Sequence, residues 1–546
     1  MEKSWLNIET ATISCMEKLR VESAWGMTEK CGVTLKNQKH CFQLVIKNKQ
    51  IWALYENRVV VTGDLVPFVS LKVIDSVPAE FTFIGNTDDY YLGASGVYPD
   101  VLRDYRAGDI VLPPSGNKCL WVCVESDRDL PVGIHKIGFQ ILDKDGKLMG
   151  ETEYELEVLD AYMVPSNIKK TNWMHYDSIC YSHNVEPFAP AFYSVFEQYL
   201  FAYIRSGFNM LLTPIFTPAL DTYVGGERMT AQLVDVSKNG EDYTFDFTKL
   251  KEFLDFVFAH GIEYIEFSHL FTQWGGAHCP KIMANVDGEC KKIFGWESDS
   301  CGEEYKAFLN AFLPQLMAFI RKEGIEDKCC FHITDEPNEK HLERYKACRE
   351  LVKKHIGDIP TMDALSHYEY YEQGFVDVPV PELRHIGKFL ENKAGKVLAY
   401  YCCEPSDGYY SNRFLNMPLQ RTRILGCQLY ETRVDGFLHW GFNFYNSGLS
   451  YAQINPYAVT NAGGAFPPGD GFIVYPKENG VNLSMRSEMM AMAFEDYDLL
   501  YTLEQKIGAE KVREMLKAEG VSGYTEYPRS AKWHTEFIEK VKRMLV

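Results

Sequence analysis

The sequence predicts a mixed α/β fold with an N-terminal β-sandwich, a (β/α)8 barrel similar to a TIM barrel, and a short C-terminal helical tail. Two observations support this prediction. Residues 1–162 contain short runs rich in β-branched and aromatic residues, separated by turn residues and almost without helical periodicity. From residue 163, strand-like apolar runs alternate with helical stretches, as in parallel sheets covered by helices. The predicted domains are 1–162, 163–508 and 509–546.

Seven strands are predicted in the N-terminal domain. They begin near residues 33, 41, 51, 81, 119, 137 and 152. Asp145 and Gly146 lie between two alternating runs, which is a signal for a β-hairpin. Several short strands joined by turns favour two packed sheets, as in a β-sandwich.

Eight strand–helix repeats are predicted in the second domain. Four helical stretches end in a glycine that precedes an apolar run, as C-caps do in αβ loops; these glycines are Gly207, Gly261, Gly324 and Gly357. Eight repeats over about 340 residues favour a closed barrel over an open sheet. The predicted strands are Asn172–Asp177, Asn209–Thr213, Tyr264–Ser268, Cys329–Thr334, Thr361–Leu365, Phe375–Val380, Val397–Cys402 and Gly436–Trp440.

Composition excludes several classes of function. The net charge of −19 would repel a phosphate backbone, so we expect no nucleic-acid partner. No run approaches the roughly 18 apolar residues that span a bilayer, and the first residues lack the apolar segment of a signal peptide. The 15 cysteines are scattered and odd in number, which is typical of reduced thiols. We therefore expect a cytoplasmic protein with no membrane partner; the sequence does not predict its oligomeric state.

Two adjacent carboxylates end the fourth predicted strand. The segment reads His332, Ile333, Thr334, Asp335, Glu336 and Pro337. Barrels build their active sites at the carboxyl ends of strands, and neighbouring carboxylates push their pKa values apart, so that one stays protonated while the other is ionised. The same residues also suit the start of a helix, as a cap and first turn. The pattern alone leaves both interpretations open, and His332 alone is more typical of a packed core.

Aromatic, histidine and polar residues follow several other predicted strands. They are His175 after the first strand, His269 and Trp274 after the third, Tyr400 and Tyr401 in the seventh, Trp440 and Asn443 at the eighth, and Asp470 in the loop beyond it. Each alone also fits a core or turn position. Aromatic residues make up 14% of the chain, and their flat faces suit the apolar side of a sugar. The convergence of these residues on strand ends favours a glycosidase-like enzyme.

Five segments resemble glycoside hydrolase family 123 and its relatives. They are LTPIFTPALDT at 212–222, SHLFTQWGG at 268–276, FHITDEP at 331–337, FPPGDGFIVYP at 466–476 and SMRSEMMAMAFEDYDLL at 484–500. The resemblance runs from about residue 165 to 505. It implies an N-terminal β-sandwich, a (β/α)8 catalytic domain and a retaining exo-glycosidase that releases terminal β-linked N-acetylgalactosamine. It implies no cofactor, and the sequence shows no metal-binding motif such as CxxC or HExxH.

The resemblance also implies a substrate-assisted mechanism served by Asp335 and Glu336. The 2-acetamido oxygen of the sugar attacks the anomeric carbon and forms an oxazolinium ion. Asp335 would orient the acetamido group, and Glu336 would act as general acid and then general base. We expect partial burial and an ionised neighbour to raise the pKa of Glu336. Tyr400 would donate to the acetamido oxygen, with Tyr401 as its competitor, and Trp440 would lie under the sugar. His332, Asn443, Asp470, His269, Trp274 and His175 complete the expected substrate-binding set.

Other functions stay open. The enzyme could prefer another β-N-acetylhexosamine, or the chain could be an inactive glycan-binding barrel. A glycosidase with an enzyme nucleophile would need a second carboxylate about 5 Å from the acid, for which Glu404 and Asp177 are candidates. A metal-dependent hydrolase could use His332, Asp335 and His175, although no ligand spacing supports it.

Overall fold

The computed structural model describes residues 8–80, 94–401 and 409–546. The chain has a mixed α/β fold, and its contacts divide it into two compact units. The first unit comprises Met1–Asn167, Ser406–Glu431 and Asn482–Val546, and the second comprises Ile168–Pro405 and Thr432–Val481. The domain boundaries at residues 162 and 508 stay predictions. Nowhere in the described ranges does a helix have both the length and the apolar character needed to cross a bilayer.

The elements alternate between strands and helices through most of the chain. The strands are β1 Ile8–Ser14, β2 Cys31–Leu35, β3 His40–Asn48, β4 Leu54–Thr62, β5 Val69–Ala79, β6 Gly96–Asp104, β7 Ile110–Leu112, β8 Asn117–Val124, β9 Gly133–Leu142, β10 Leu148–Leu159, β11 Lys169–Asn172, β12 Met210–Thr213, β13 Asp235–Asn239, β14 Asp242–Asp246, β15 Tyr264–Phe267, β16 Ile282–Val286, β17 Glu289–Phe294, β18 Cys329–Phe331, β19 Met362–Ala364, β20 Val378–Val380, β21 Leu398–Tyr400, β22 Gly436–His439, β23 Tyr475–Lys477 and β24 Gly480–Ser484. The helices are α1 Tyr176–His183, α2 Pro190–Arg205, α3 Thr248–Ala259, α4 Glu303–Glu323, α5 Leu342–Ile356, α6 Tyr368–Glu372, α7 Ile386–Glu391, α8 Leu419–Arg423, α9 Leu425–Thr432, α10 Met485–Ile507, α11 Ala509–Ala518 and α12 Ala531–Arg543.

The first unit contains two largely antiparallel sheets that share one buried cluster. One sheet has the order β2-β10-β9-β4-β7, and the other includes the run β1-β3-β8-β5-β6. Phe42 of β3 stacks on Tyr154 of β10 with ring centroids 3.8 Å apart. The predicted turn at Asp145 and Gly146 joins β9 to β10, and Gly146 has the positive φ that such a turn requires. The strand predicted near residue 81 lies outside the described residues.

Four further strands of this unit, β1, β5, β6 and β7, are absent from the sequence prediction. Pro78 in β5 and Pro99 in β6 make these segments look like loops, because proline cannot donate to a ladder. The β5–β6 ladder shifts register between Asp75 and Ser76, and Ser76 pairs with Pro99. An irregularity of this kind lets a strand accept a proline.

Parallel strands form the sheets around the core of the second unit. Six of them have the order β18-β15-β12-β11-β22-β21, and β19 pairs with β20 in a separate sheet. Single parallel bridges join Phe331 to Thr361 and Glu382 to Tyr400. Because these strands are parallel, their carboxyl ends share one edge of each sheet.

Seven of the eight predicted strands coincide with observed ones, but the first is displaced. β11 is Lys169–Asn172, whereas the prediction began at Asn172. The residues of β11 are polar and look like a linker, yet Lys169 lies over the ring of Tyr264 at 4.7 Å. The apolar run that follows β11 leads instead into α1. The β13–β14 and β16–β17 hairpins, which share a four-stranded sheet, are also absent from the prediction because their sequences are rich in charge.

Candidate active site

An open cavity lies where the parallel strands of the second unit end. It encloses about 720 Å³, part of it open to solvent. Its lining residues come from β11, β12, β15, β18, β19, β21, β22 and the loops that follow them. They are Trp173, Leu220, Asp221, Gln273, Trp274, Asp335, Glu336, Ala364, Tyr400, Leu438, Trp440 and Phe466.

The adjacent carboxylates Asp335 and Glu336 line this cavity. The Asp335 carbonyl accepts a hydrogen bond from the Trp274 N–H at 2.7 Å, and the Glu336 N–H donates to the Ala364 carbonyl at 3.0 Å. Backbone bonds therefore tie the pair to the loop after β15 on one side and to β19 on the other. Glu336 has a φ of 44°, a left-handed conformation that residues with a Cβ rarely adopt.

The sequence pattern allowed Asp335 and Glu336 to serve as a helix cap, but in the structure a different residue supplies the cap. Asn338 precedes a short 3₁₀ turn at Glu339–His341, and its side chain accepts a hydrogen bond from the Lys340 N–H at 3.1 Å. Helix α5 follows from Leu342. The cap of this turn is therefore Asn338.

The two carboxylates differ in environment. Asp335 is half-buried, whereas Glu336 is exposed, so the expected partial burial of Glu336 is wrong. The left-handed backbone turns Glu336 toward the mouth, where its Oε1 accepts a hydrogen bond from the Tyr400 hydroxyl at 2.7 Å. Burial, followed by the charge of Glu336, raises the pKa of Asp335 well above its usual value. Both effects favour the protonated form of Asp335.

A buried charge network lies behind the cavity wall. Glu266 accepts hydrogen bonds from the Trp173 indole at 3.1 Å and from His332 Nε2 at 2.8 Å. Asp363 lies 3.6 Å from His332 Nδ1. Burial alone would lower the pKa of His332, but the partners Asp363 and Glu266 raise it to about 9. His332 is thus a charged core residue that helps to fix Trp173, and it does not line the cavity.

His269 stacks on His332, with ring centroids 4.3 Å apart and planes 23° apart. Burial, followed by the charge of His332, lowers the pKa of His269 well below its usual value, so His269 is neutral. His269, His332 and Asp363 each offer one possible metal-ligand atom, and these atoms lie within 4.8 Å of one another. A metal binds in the plane of each imidazole, along the nitrogen lone pair. The lone pairs of two nearly parallel stacked rings lie in two separate planes, so one ion cannot lie well in both planes and this group is poorly arranged to bind it.

Trp440 presents its ring to the cavity and is held from behind. Its indole Nε1 donates to Asp470 Oδ2 at 3.0 Å, and its ring lies 4.9 Å from that of Phe466. Asp470 is fully buried. The structure therefore places Asp470 under Trp440 rather than on the cavity surface. Tyr400 lines the cavity, whereas Tyr401 is fully buried with its ring 4.9 Å from Phe437.

Two other predicted residues, His175 and Asn443, form a brace beside the cavity and do not line it. The His175 N–H donates to Asn443 Oδ1 at 2.8 Å, and Asn443 Nδ2 donates to the His175 carbonyl at 3.0 Å. His175 Nε2 also donates to the Trp440 carbonyl at 3.0 Å. His175 and Asn443 therefore join the loop after β11 to the loop after β22. No grouping of His175 with His332 and Asp335 as metal ligands occurs among the described residues.

Asp177, one of the two candidates for an enzyme nucleophile, does not line the cavity. Asp177 is buried and paired with Arg228, whose Nε and Nη2 donate to its two carboxylate oxygens at 2.7 and 2.6 Å. Burial opposes ionisation of Asp177, but the Arg228 charge outweighs it and keeps the pKa of Asp177 low. Glu404 lies outside the described residues.

Asp221 and Gln273 line the cavity but are not among the residues predicted from sequence. Asp221 Oδ2 accepts a hydrogen bond from the Leu449 N–H at 2.9 Å, and burial raises the pKa of Asp221 to about 6. Gln273 Nε2 donates to the Thr222 carbonyl at 2.7 Å. Both lie in segments that carry the family resemblance, so inspection of every polar residue in those segments would have found them.

Comparisons with known proteins identify the family of this chain and a solved structure with a similar fold. The model of the glycoside hydrolase 123 catalytic domain matches residues 173–503. A family 123 glycoside hydrolase from Clostridium perfringens, studied for glycolipid glycan hydrolysis, shares 14% identity over 99% of this chain and 97% of its own, with a TM-score of 0.74. At that identity the likeness shows a shared fold.

Two other solved structures align with low TM-scores. A putative β-galactosidase from Bacteroides fragilis is 10% identical over 85% of this chain and 58% of its own, with a TM-score of 0.29. A β-glucuronidase from Parabacteroides merdae is 10% identical over 91% and 54%, also with a TM-score of 0.29. No curated protein matches the sequence. The family model covers more than half of the chain, and the protein therefore belongs to glycoside hydrolase family 123 and is a glycoside hydrolase.

Proposed function

We propose that this enzyme is a retaining exo-glycosidase that releases terminal β-linked N-acetylgalactosamine by a substrate-assisted mechanism. The observation that carries the proposal is the placement of Asp335 and Glu336, side by side, in a cavity with aromatic walls. Glycans of the glycolipid kind are candidate substrates, because they were studied with the Clostridium perfringens family 123 enzyme.

In this mechanism the substrate provides the nucleophile. The 2-acetamido oxygen attacks the anomeric carbon as the glycosidic bond breaks, and the product of this step is an oxazolinium ion. Asp335 accepts the acetamido N–H and stabilises the positive charge that grows there. Glu336 gives a proton to the leaving oxygen and later takes one from the water that opens the ring.

The different environments of the two carboxylates suggest how the proton reaches Glu336. In the free enzyme the raised pKa favours the proton on Asp335, and the Tyr400 bond favours ionised Glu336. An acetamido N–H donated to Asp335 would stabilise its ionised form. The proton of the pair would then move to Glu336, which becomes the general acid only when an acetamido sugar is bound.

The proposed scaffold is a (β/α)8 barrel that follows a β-sandwich. The six-stranded sheet, the β19–β20 pair and the two single bridges would together complete a ring of eight parallel strands. The two sheets of the first unit, with their shared apolar cluster, support the sandwich. In such a barrel the site lies at the carboxyl face, where catalytic residues are found.

A panel of substrates tests the reaction. We expect cleavage of methyl and aryl β-N-acetylgalactosaminides and none of the matching β-galactosides, because a 2-hydroxyl cannot form an oxazolinium ion. Faster cleavage of β-N-acetylglucosaminides would change the sugar but keep the mechanism. Cleavage of β-galactosides, or a covalent enzyme adduct trapped with a 2-fluoro sugar, would refute the mechanism. Loss of activity with a chelator would favour the metal-dependent alternative.

Two isosteric variants test the assigned residues. Glu336→Gln should lower kcat strongly on methyl glycosides and less on activated aryl glycosides, because a poor leaving group depends more on the acid. Asp335→Asn should lower kcat far more than it changes KM, because its charge acts mainly in the transition state. A helix-capping residue would instead cost about 1 kcal/mol of stability and leave kcat nearly unchanged. Equal losses of Glu336→Gln on both substrates would contradict the acid assignment.

We also propose a cytoplasmic location. All cysteines in the described ranges are free thiols, which is typical of reducing compartments. Cell fractionation that recovers the enzyme outside the cytosol would contradict this.

A further inference from the structure

Beside the cavity, two loops are held together by three hydrogen bonds. Asp221, in the loop after β12, accepts the Leu449 N–H through its carboxylate at 2.9 Å, and its carbonyl accepts the Ser450 hydroxyl at 2.7 Å. The Tyr223 N–H donates to the Leu449 carbonyl at 3.1 Å. We call these three hydrogen bonds the clasp; one of its residues, Asp221, lines the cavity. The clasp therefore fixes the loop after β22 against the cavity rim.

The clasped loop has an unfavourable backbone. Leu449 and Ser450 have φ values of 55° and 56°, and Asp221 has a φ of 40°. None of these is glycine, and consecutive left-handed residues with a Cβ persist only where surrounding contacts impose them. Such conformations concentrate at ligand-binding sites.

The clasp places two tyrosine rings face to face. Tyr223 and Tyr451 stack with ring centroids 4.5 Å apart and planes 19° apart. Tyr451 remains 65% exposed, and the neighbouring Val224 is 59% exposed. A stacked pair beside an open cavity offers a rigid, flat and apolar surface to whatever extends out of that cavity.

We propose that Tyr223 and Tyr451 form a subsite for the leaving group, and that the ring of the second sugar packs on Tyr451. This inference rests on the proposed exo-glycosidase function, in which the terminal sugar fills the cavity and the remainder of the glycan must leave through its mouth. Pyranose rings have an apolar face of C–H groups that pack on aromatic rings. The subsite gives the enzyme a preference for glycosides whose leaving group is a sugar.

Matched substrates separate this subsite from the chemistry. Each pair consists of a methyl glycoside and a disaccharide with the same sugar at the nonreducing end, β-linked to galactose in the disaccharide. Both members of a pair release an alcohol and therefore need the general acid equally. Pairs are made with N-acetylgalactosamine, N-acetylglucosamine and galactose at the nonreducing end. The pair that the wild-type enzyme cleaves is then used to measure the ratio of kcat/KM for the disaccharide to kcat/KM for the methyl glycoside.

We expect Tyr451→Ala to lower this ratio about tenfold, because a lost ring contact is worth roughly 1.4 kcal/mol. Tyr451→Phe keeps the ring and should keep the ratio. Tyr55→Ala is the matched control, since Tyr55 is 64% exposed and belongs to the other unit.

An unchanged ratio in Tyr451→Ala, with or without a general loss of rate, would overturn the subsite while leaving the proposed function intact. Failure of the wild-type enzyme to cleave any of the three pairs would overturn the proposed function and this inference with it.

Discussion

Removal of the Tyr400 hydroxyl should shift one limb of the pH profile of catalysis. In the structure this hydroxyl donates to Glu336 Oε1 at 2.7 Å, and Tyr400 itself is only 7% exposed. The bond favours ionised Glu336 over protonated Glu336. Tyr400→Phe removes the bond and keeps the ring, so we expect the pH dependence to change while the cavity keeps its shape.

The size of the shift follows from the strength of the bond. A hydrogen bond to a charged group contributes about 1.5–3 kcal/mol, and the exposure of Glu336 to water reduces this to roughly 1.4 kcal/mol, or about one pH unit. The pair titrates in two coupled steps. Because burial raises the pKa of Asp335, the proposed mechanism assigns the proton of the singly protonated enzyme to Asp335. Glu336 is then ionised and accepts the Tyr400 hydrogen bond.

This distribution decides which limb moves. Glu336 is ionised in the singly protonated and in the fully ionised states of the Asp335–Glu336 pair, so loss of the bond destabilises these two states equally. The doubly protonated state is destabilised much less. The acidic limb of kcat/KM should therefore move up by about one unit, and the alkaline limb should move less. The assay is kcat/KM against pH on a methyl glycoside, with the melting temperature as a control for folding. An alkaline limb that moves while the acidic limb stays fixed would refute the reasoning, because the proton would then reside on Glu336.

Two further predictions concern buried charges. The pKa of His332 is raised from 6.5 to about 9, so its contribution of about 3 kcal/mol to folding should be complete below pH 6.5 and lost as pH rises through 9. The unfolding free energy should therefore fall less steeply over this pH range in His332→Gln than in the wild type. Equal slopes in both proteins would contradict the assigned charge. Asp177→Asn should lower stability by about 3 kcal/mol because it leaves the guanidinium of Arg228 without its charged partner. At a temperature where the variant is folded, its kcat should stay within a few-fold of the wild-type value. Loss of all activity in the folded variant would support Asp177 as the nucleophile.

Sequence patterns located most strands of the second unit, because glycine C-caps and apolar runs are local signals. Gly324, for example, has the left-handed φ of 65° expected after α4. The displaced strand β11 depends on pairing with β22, which is distant in sequence, whereas the two hairpins pair locally but have charged sequences. Lys169 pairs through its backbone with Gly436 of β22, and its side chain lies over the ring of Tyr264.

The residues of the candidate site could be predicted only in part, because the direction of a side chain also depends on contacts distant in sequence. A polar residue near a strand end can face the cavity or the layer behind it, and one sequence does not determine which. Trp274, Tyr400 and Trp440 face the cavity, whereas Asp470 supports Trp440 from behind. Asp221 lies in a segment that carries the family resemblance, but its place at the rim depends on a bond to Leu449, 228 residues away.

The residues that shape the cavity are fixed in two different ways, which determines how they can be tested. Trp274 and Glu336 have φ values of 58° and 44°, and each is anchored through its backbone N–H. Changing Glu336 to glutamine leaves that anchor in place, so lost activity would report on the carboxylate and not on the loop. Asp221 is anchored partly through its carboxylate, so removal of its side chain would release Leu449 and disturb the rim. An effect at Asp221 therefore combines chemistry with loop position, whereas isosteric changes at Glu336 separate the two.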